Sequence, residues 1–360
     1  MIFHSIDLHL DSFLDSRLSF EDGPDQGKIV TAKYFLDEGS LQNFKAQLGK
    51  EDYIIVEACT NSFWFHDQVK DLVKKCFILD VNKFKQNINK TDKIDGKKLV
   101  KRLAFFVMAN GDQEDLPTVF VPPIEVRELR GLFSTYQLNK KTTTQFKNRI
   151  HSILKQNGIP VLRKEISEPA FRTKLLALPL SQAWKVQIRL LFKQIENIEQ
   201  ETEELKKVIY QLGNRLFPNE IKLLLSIKGF SPLTAIALMA DVVDINRFPC
   251  VKKFCAYLRT APKVKSSNKS TTIGSTNKFA RSLSCSLLAQ SVNHFAQSGG
   301  PLNAFYERVK TGKKAGVYRM AMIRKVLVCV YYMLKRKKQF YWTDDKLYNS
   351  KLIEFKKLVA

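Results

Sequence analysis

Apolar residues recur in two different rhythms along this chain, and the change of rhythm divides it. Up to about residue 116, short apolar runs alternate with helical stretches. Residues 2–10 alternate weakly and end at Asp11, which predicts a strand followed by a turn. KIVTAKYFL at 28–36 predicts a second strand, and Glu21–Gly27 between them reads as a hairpin loop. YIIVEA at 53–58 and CFILDV at 76–81 are short runs rich in β-branched residues, as buried strands are. The first of them ends on a carboxylate, Glu57. Helical spacing fits 40–48, 63–75 and the segment after Thr91, a candidate N-cap. Strands alternating with helices predict an α/β domain with a partly parallel sheet.

Beyond residue 116 the pattern changes. PTVFVPP at 117–123 is non-helical and reads as a hinge, and from about Glu125 to Leu216 the chain is long, helical and polar. Within it Ile195, Ile198, Leu205, Val208 and Ile209 form a coiled-coil-like stripe. A helical hairpin, a dimer contact and an ordinary two-helix linker all fit that stripe. Ile221–Ala235 reads as a helix stopped at Gly229 and a second one restarted at Pro232, the shape of a helix-hairpin-helix. In such a turn, here Lys228–Gly229, backbone amides approach a DNA phosphate. Residues 259–281 are Ser/Thr/Lys-rich without apolar period and read as a basic loop, with Lys263, Lys265, Lys269, Lys278 and Arg281 as nucleic-acid contacts. Residues 282–297, 301–310 and 317–339 read as helices. The resulting plan is an α/β domain at 1–116, a helical coiled-coil-like middle at 117–217, a mainly α-helical domain at 218–345 and a tail at 346–360.

Composition alters this picture only through charge and cysteine. The net charge is +24, yet residues 1–110 hold 16 basic and 16 acidic side chains. The excess lies behind them: between Ile245 and Phe340 stand 20 Lys or Arg and a single acid, Glu307. A solvated face carries counter-charges, so a polyanion is the expected partner, and nucleic acid fits best. The six cysteines contain no CxxC and read as reduced thiols of a cytosolic protein. No apolar run is long enough for a membrane span, and MIFHSIDLHLD carries acids where a signal peptide has none.

The neutral front is where chemistry is expected. Asp7 lies in the first strand, Glu57 closes the buried middle strand, and Asp92 and Asp95 open a helix three residues apart. An i, i+3 pair shares one helix face, and two close carboxylates repel unless a cation lies between them. A plain solvated helix start fits Asp92 and Asp95 as well. Acids on strand one, on a middle strand and at one helix start are what a ribonuclease H-like domain needs to hold two Mg²⁺ ions for phosphodiester chemistry.

These residues resemble a known family. Ile6-Asp7, Val56-Glu57-Ala58 and KTDKID at 90–95 resemble the front signature of the DEDD insertion-sequence transposases, the "insertion sequence one-ten" family related to the Piv-type DNA invertases. The rear signature is carried by Gly229–Ala235, DVVDINRF at 241–248, AYLRTAP at 256–262, Phe305–Arg308 and the helix Ala321–Leu334. The resemblance implies a RuvC-like catalytic domain joined to a C-terminal transposase domain. It implies Asp7, Glu57, Asp92 and Asp95 as ligands of Mg²⁺ or Mn²⁺. It also implies a serine nucleophile in the loop after the proline, where Ser267 matches best and Ser266 is the near alternative. A polar DNA-contacting serine is the plain alternative; Lys265 and Lys269 are placed to neutralise a phosphate there. The implied partners are DNA, a guide RNA encoded by the element, and further copies of the chain as a dimer or tetramer, in the bacterial cytoplasm at the nucleoid. A DNA invertase or a domesticated, catalytically impaired nucleic-acid binder shares the same residues. The sequence departs from the family at Ser5, at Cys59–Ser62 after Glu57, at Asn268 and Lys269, and at Ile273–Lys278, where glycines are expected.

Overall fold

The computed structural model describes residues 1–20, 27–81, 92–111, 116–168, 171, 174–175, 178–267, 270–276 and 283–359, with the backbone alone at 92–95, 263–267, 270–273 and 275–276. The chain forms two compact units, Met1–Val121 and Pro122–Ala360.

The first unit is built on a mixed five-stranded sheet in the order β3-β2-β1-β4-β5. Its strands are β1 (Phe3–Leu8), β2 (Ser12–Ser19), β3 (Lys28–Phe35), β4 (Tyr53–Glu57) and β5 (Lys75–Leu79). β1 pairs antiparallel with β2, and β2 with β3. β4 pairs parallel with β1 and with β5. Among the described residues, the helices α1 (Glu38–Lys45), α2 (Ser62–Val69) and α3 (Asp92–Met108) flank the sheet. Alternation along the strands sorts the core into two layers. Ile6, Leu8, Phe13, Ile54, Val56 and Ile78 bury with Leu41 and Phe44 of α1 and Phe65 and Val69 of α2. Phe3, Leu18, Ile55, Phe77 and Leu79, on the opposite face, bury with Leu99, Val100, Leu103 and Ala104 of α3.

Two features of this unit differ from the sequence reading. β2 occupies Ser12–Ser19, where no strand was expected. It carries a buried polar chain: Asp15 lies 3.2 Å from His4 Nδ1 and accepts from Arg17 Nε at 2.6 Å. Arg17 in turn donates to Gln47 and to the Tyr34 hydroxyl. These polar residues stand where alternation calls for apolar ones, which hides the strand. The proline-rich segment is more than a hinge in its first half, since Val119 donates to Ile78 O at 2.8 Å and Asp80 to Pro117 O at 2.8 Å. That bridge covers the β5 edge. The expected hairpin loop at 21–26 and the cap at Thr91 lie outside the described residues.

The second unit is mostly helical. α4 (Ile124–Gln156) and α5 (Gln182–Leu216) form a long antiparallel pair. One end is closed by Ile150, Ile153, Leu154, Ile166, Ile188 and Ile195. At the other, Val126, Leu129, Phe133 and Ile209 join the main core. The predicted stripe is used in part within the chain: Ile195 and Ile209 are fully buried, whereas Val208 is exposed. Between them Thr202 accepts from Asn139 at 3.3 Å. The rest comprises α6 (Pro218–Leu225), α7 (Pro232–Val242), α8 (Val251–Tyr257), α9 (Leu283–Gln290), α10 (Val292–Ala296), α11 (Gly300–Lys310), α12 (Ala315–Arg336) and α13 (Asp345–Val359). α7 is buried on almost every side and is the axis of this unit, as a helix apolar all round must be. The segment expected to be a loop is instead a hairpin, β6 (Pro262–Ser267) and β7 (Ser270–Thr276), paired antiparallel. Among the described residues no helix is long and apolar enough to cross a membrane.

Gly213 lets α5 approach α7, since a Cβ there would lie 2.5 Å from Ile236. Gly213→Ala gains about 1 kcal/mol of helix preference but costs roughly 1–3 kcal/mol by overpacking. The net expectation is a lower midpoint of thermal unfolding, read by circular dichroism.

Candidate active site

Strand register brings two of the predicted acids together. Ser5 is level with Ile55 and Ile6 with Val56 across the parallel β1–β4 pair. One residue further along both strands stand Asp7 and Glu57. Neighbouring strands lie about 4.8 Å apart, so the two carboxylates start side by side. Both belong to the α3 face, because Ile6 and Val56 turn into the opposite layer. Asp7 is about one-third exposed, and His9 Nε2 lies 3.6 Å from its Oδ2. Like charges side by side on adjacent strands are destabilising, so a cation at this position suits the donor set.

The loops beyond these strand ends are tied to one another. Asn61, in the loop after β4, donates through Nδ2 to His9 O at 3.1 Å. Cys59 Sγ donates to Asn61 Oδ1 at 3.1 Å. Partial burial raises the Cys59 thiol, with a smaller push from the Glu57 carboxylate. His9 and Asn61 escaped the sequence reading; the only signal for His9 is its spacing of two from Asp7.

The helix bearing the other two acids lies over this face. α3 begins at Asp92 with Asp95 in its first turn. Gly96 follows, and a Cβ there would lie 3.0 Å from Ser16 Oγ. Ser16 is level with Ser5 in the β1–β2 ladder, two residues before Asp7. The first turn of α3 therefore rests on the acid-bearing side of the sheet. The side chains of Asp92 and Asp95 lie outside the described residues. Among the described residues, no group of three or more His, Cys, Asp or Glu is arranged to hold a metal.

In the second unit the described parts of the predicted site have internal roles. Gly229 is buried, and a Cβ there would lie 2.2 Å from the Phe295 ring. Its missing side chain is thus a packing requirement. Lys228 is half-buried in the same turn. The turn is held from behind by Lys351 of α13, whose Nζ donates to Leu225 O at 3.2 Å, Ile227 O at 2.8 Å and Lys228 O at 2.9 Å. Ser231 caps α7 by accepting from Thr234 N at 3.2 Å. Asp241 is buried, and its Oδ2 accepts from Ser284 N at 3.1 Å and from Ser284 Oγ at 2.8 Å. That anchors the start of α9, the helix that follows the hairpin. Ser266 and Ser267 end β6, with Ser267 level with Ser270. Lys263 and Lys265 are on the same strand; the side chains of these four residues lie outside the described residues. Lys269, Lys278 and Arg281 lie outside them entirely.

Residues 221–307, from α6 into α11, match the model of a family described as Transposase IS116/IS110/IS902 family. No curated protein matches the chain.

Burial lowers the Lys351 ammonium to about 8. A lysine lowered in the fold leaves a window in which only the unfolded chain holds the proton. Stability from this group therefore rises with pH from about 8 to the ordinary lysine range and is lost as pH falls through about 8. Lys351→Met is expected to flatten that part of the stability–pH curve. It also leaves three carbonyls without their donor, at a cost of about 1–3 kcal/mol in urea unfolding.

Proposed function

We propose, from the premise that residues 221–307 belong to the Transposase IS116/IS110/IS902 family, that the whole chain is a metal-dependent DNA recombinase that moves an insertion sequence. The single observation that carries the metal reading is the register that sets Asp7 beside Glu57 on the face covered by α3. In this reading the first unit is a RuvC-like, ribonuclease H-like catalytic domain. Asp7, Glu57, Asp92 and Asp95 hold Mg²⁺ or Mn²⁺. Two metal ions held there would activate the attacking oxygen and offset charge on the leaving one.

The residues of the chain divide the remaining work. Ser267 Oγ attacks the scissile phosphorus, forming a serine–phosphate ester as the bond to the DNA sugar oxygen breaks. That oxygen leaves with a proton, and the serine proton goes to a neighbouring base or water. A DNA hydroxyl then attacks the phosphoserine, restoring the serine and rejoining the strand. Lys263, Lys265, Lys269, Lys278 and Arg281 grip the backbone by charge, with Lys228 at the helix-hairpin-helix turn. An element-encoded guide RNA and a homo-oligomer belong to the same reading. It is supported by the basic stretch at 245–340 and by the family match.

Purified protein is expected to nick or recombine element-end DNA with Mg²⁺ and to stop in chelator. Asp7→Asn, Asp92→Ala and Asp95→Ala should each lower the rate by more than the roughly 10–100-fold that loss of an outer-shell metal partner costs. DNA binding by gel shift should persist, because it rests on the basic rear. Wild-type activity in any of these variants removes that residue from the metal site. Ser267→Ala should abolish the covalent protein–DNA adduct on a denaturing gel; an adduct that survives there and vanishes in Ser266→Ala moves the nucleophile one residue back.

A further inference from the structure

The row that contains Asp7 continues outward across the sheet. Asp7 is level with Leu14 on β2, and Leu14 with Lys33 on β3. Cross-strand partners share a face, so Lys33 stands on the same side as Asp7, two strands away or about 10 Å. Phe35 is two residues further along β3 and on that face too. Lys33 is exposed, and its ammonium sits 5.1 Å from the centroid of the Phe35 ring. Phe35 itself is 51% exposed, although Ser40 Oγ fixes its backbone by accepting its N–H at 2.9 Å. β3 is the outermost strand, so nothing in the sheet lies beyond this pair. Leu14, half-buried, floors the gap between Lys33 and Asp7.

A cation and an open aromatic ring on one rigid strand match a nucleic-acid strand, which offers a phosphate and a base face at each step. The first unit has no general excess of positive charge, since its acids and bases balance over residues 1–110, so bulk basicity does not account for Lys33. We infer that Lys33 and Phe35 grip the DNA strand being cut: Lys33 holds a phosphate and Phe35 stacks an unpaired base beside the carboxylate pair. This rests on the metal-dependent cleavage proposed above. β3 thereby acts as a positioning strand for the cut, separate from the basic rear.

The test uses the full chain and a single-stranded oligodeoxynucleotide carrying a fluorescent adenine analogue, with Ca²⁺ in place of Mg²⁺ for binding. Phe35→Ala is expected to abolish the stacking quench of the analogue, and Phe35→Trp to restore it. Lys33→Ala should reduce the slope of log K against log salt by about 0.7. Val30→Ala, exposed on the opposite face of the same strand, should change neither. If Lys33→Ala and Phe35→Ala leave slope, quench and cleavage KM at wild-type values while Asp7→Asn is inactive, the grip is overturned and the carboxylate reading stands. If Asp7→Asn cleaves like the wild type, both are overturned.

Discussion

The parallel pairing of β1 with β4 is the constraint on which the first unit depends. It joins residues about fifty positions apart in sequence and fixes which of them share a face. Ile6, Ile54 and Val56 are fully buried on one side, Phe3 and Ile55 on the other. Each contributes about 1.5–3 kcal/mol of burial, whereas a like-charged cross-strand pair costs only a fraction of a kcal/mol to about 1. The apolar positions therefore dictate the register, and Asp7 and Glu57 are carried into proximity at a cost the core easily offsets. A slip of one residue would exchange the side chains of the two layers, which pack against different helices. α3 completes the arrangement, because Leu99, Val100 and Leu103 can bury only against the face that carries the acids.

The second unit is organised around a different problem, which is holding a turn and a hairpin still against a helical core. α7 is enclosed by its neighbours, and the segments on either side are pinned to it or near it. Gly229 admits the Phe295 ring, Lys351 gathers three carbonyls of the α6–α7 turn, and Asp241 receives the amide and hydroxyl of Ser284 at the start of α9. Arg130 of α4 adds another clamp by donating to Ala240 O at 2.8 Å at the end of α7. The stretch that matches the transposase family is in large part this scaffold.

Much of this was legible in the sequence, and the exceptions have physical causes. β4 and β5 stood out because both faces are buried and the runs are apolar throughout. Ile195 and Ile209 marked an apolar stripe on α5 without choosing between α4, a second copy of the chain and a plain linker as its partner. β2 was hidden by Asp15 and Arg17, which occupy inward positions through their contacts with His4 and Gln47, and no local pattern signals such a partner. β6 and β7 were hidden because KVKSS and STTIGST lack clear alternation. Gly229 was singled out as the glycine of a phosphate-approaching turn, and the sequence carried no sign that the Phe295 ring also requires a glycine there, since only tertiary packing sets that contact. The adjacency of Asp7 and Glu57 follows from strand order, whereas each acid taken singly is unremarkable in the sequence.

The most direct test of the shared acid pocket is a calorimetric titration of Mn²⁺ into the full chain without DNA, comparing wild type with Asp7→Asn and Glu57→Gln. Carboxylates that share a cation should give saturable binding in the wild type and lose it in either variant, with the fold retained by circular dichroism. Equal Mn²⁺ binding in all three proteins would contradict the pocket, and with it the assignment of the first unit as the catalytic one.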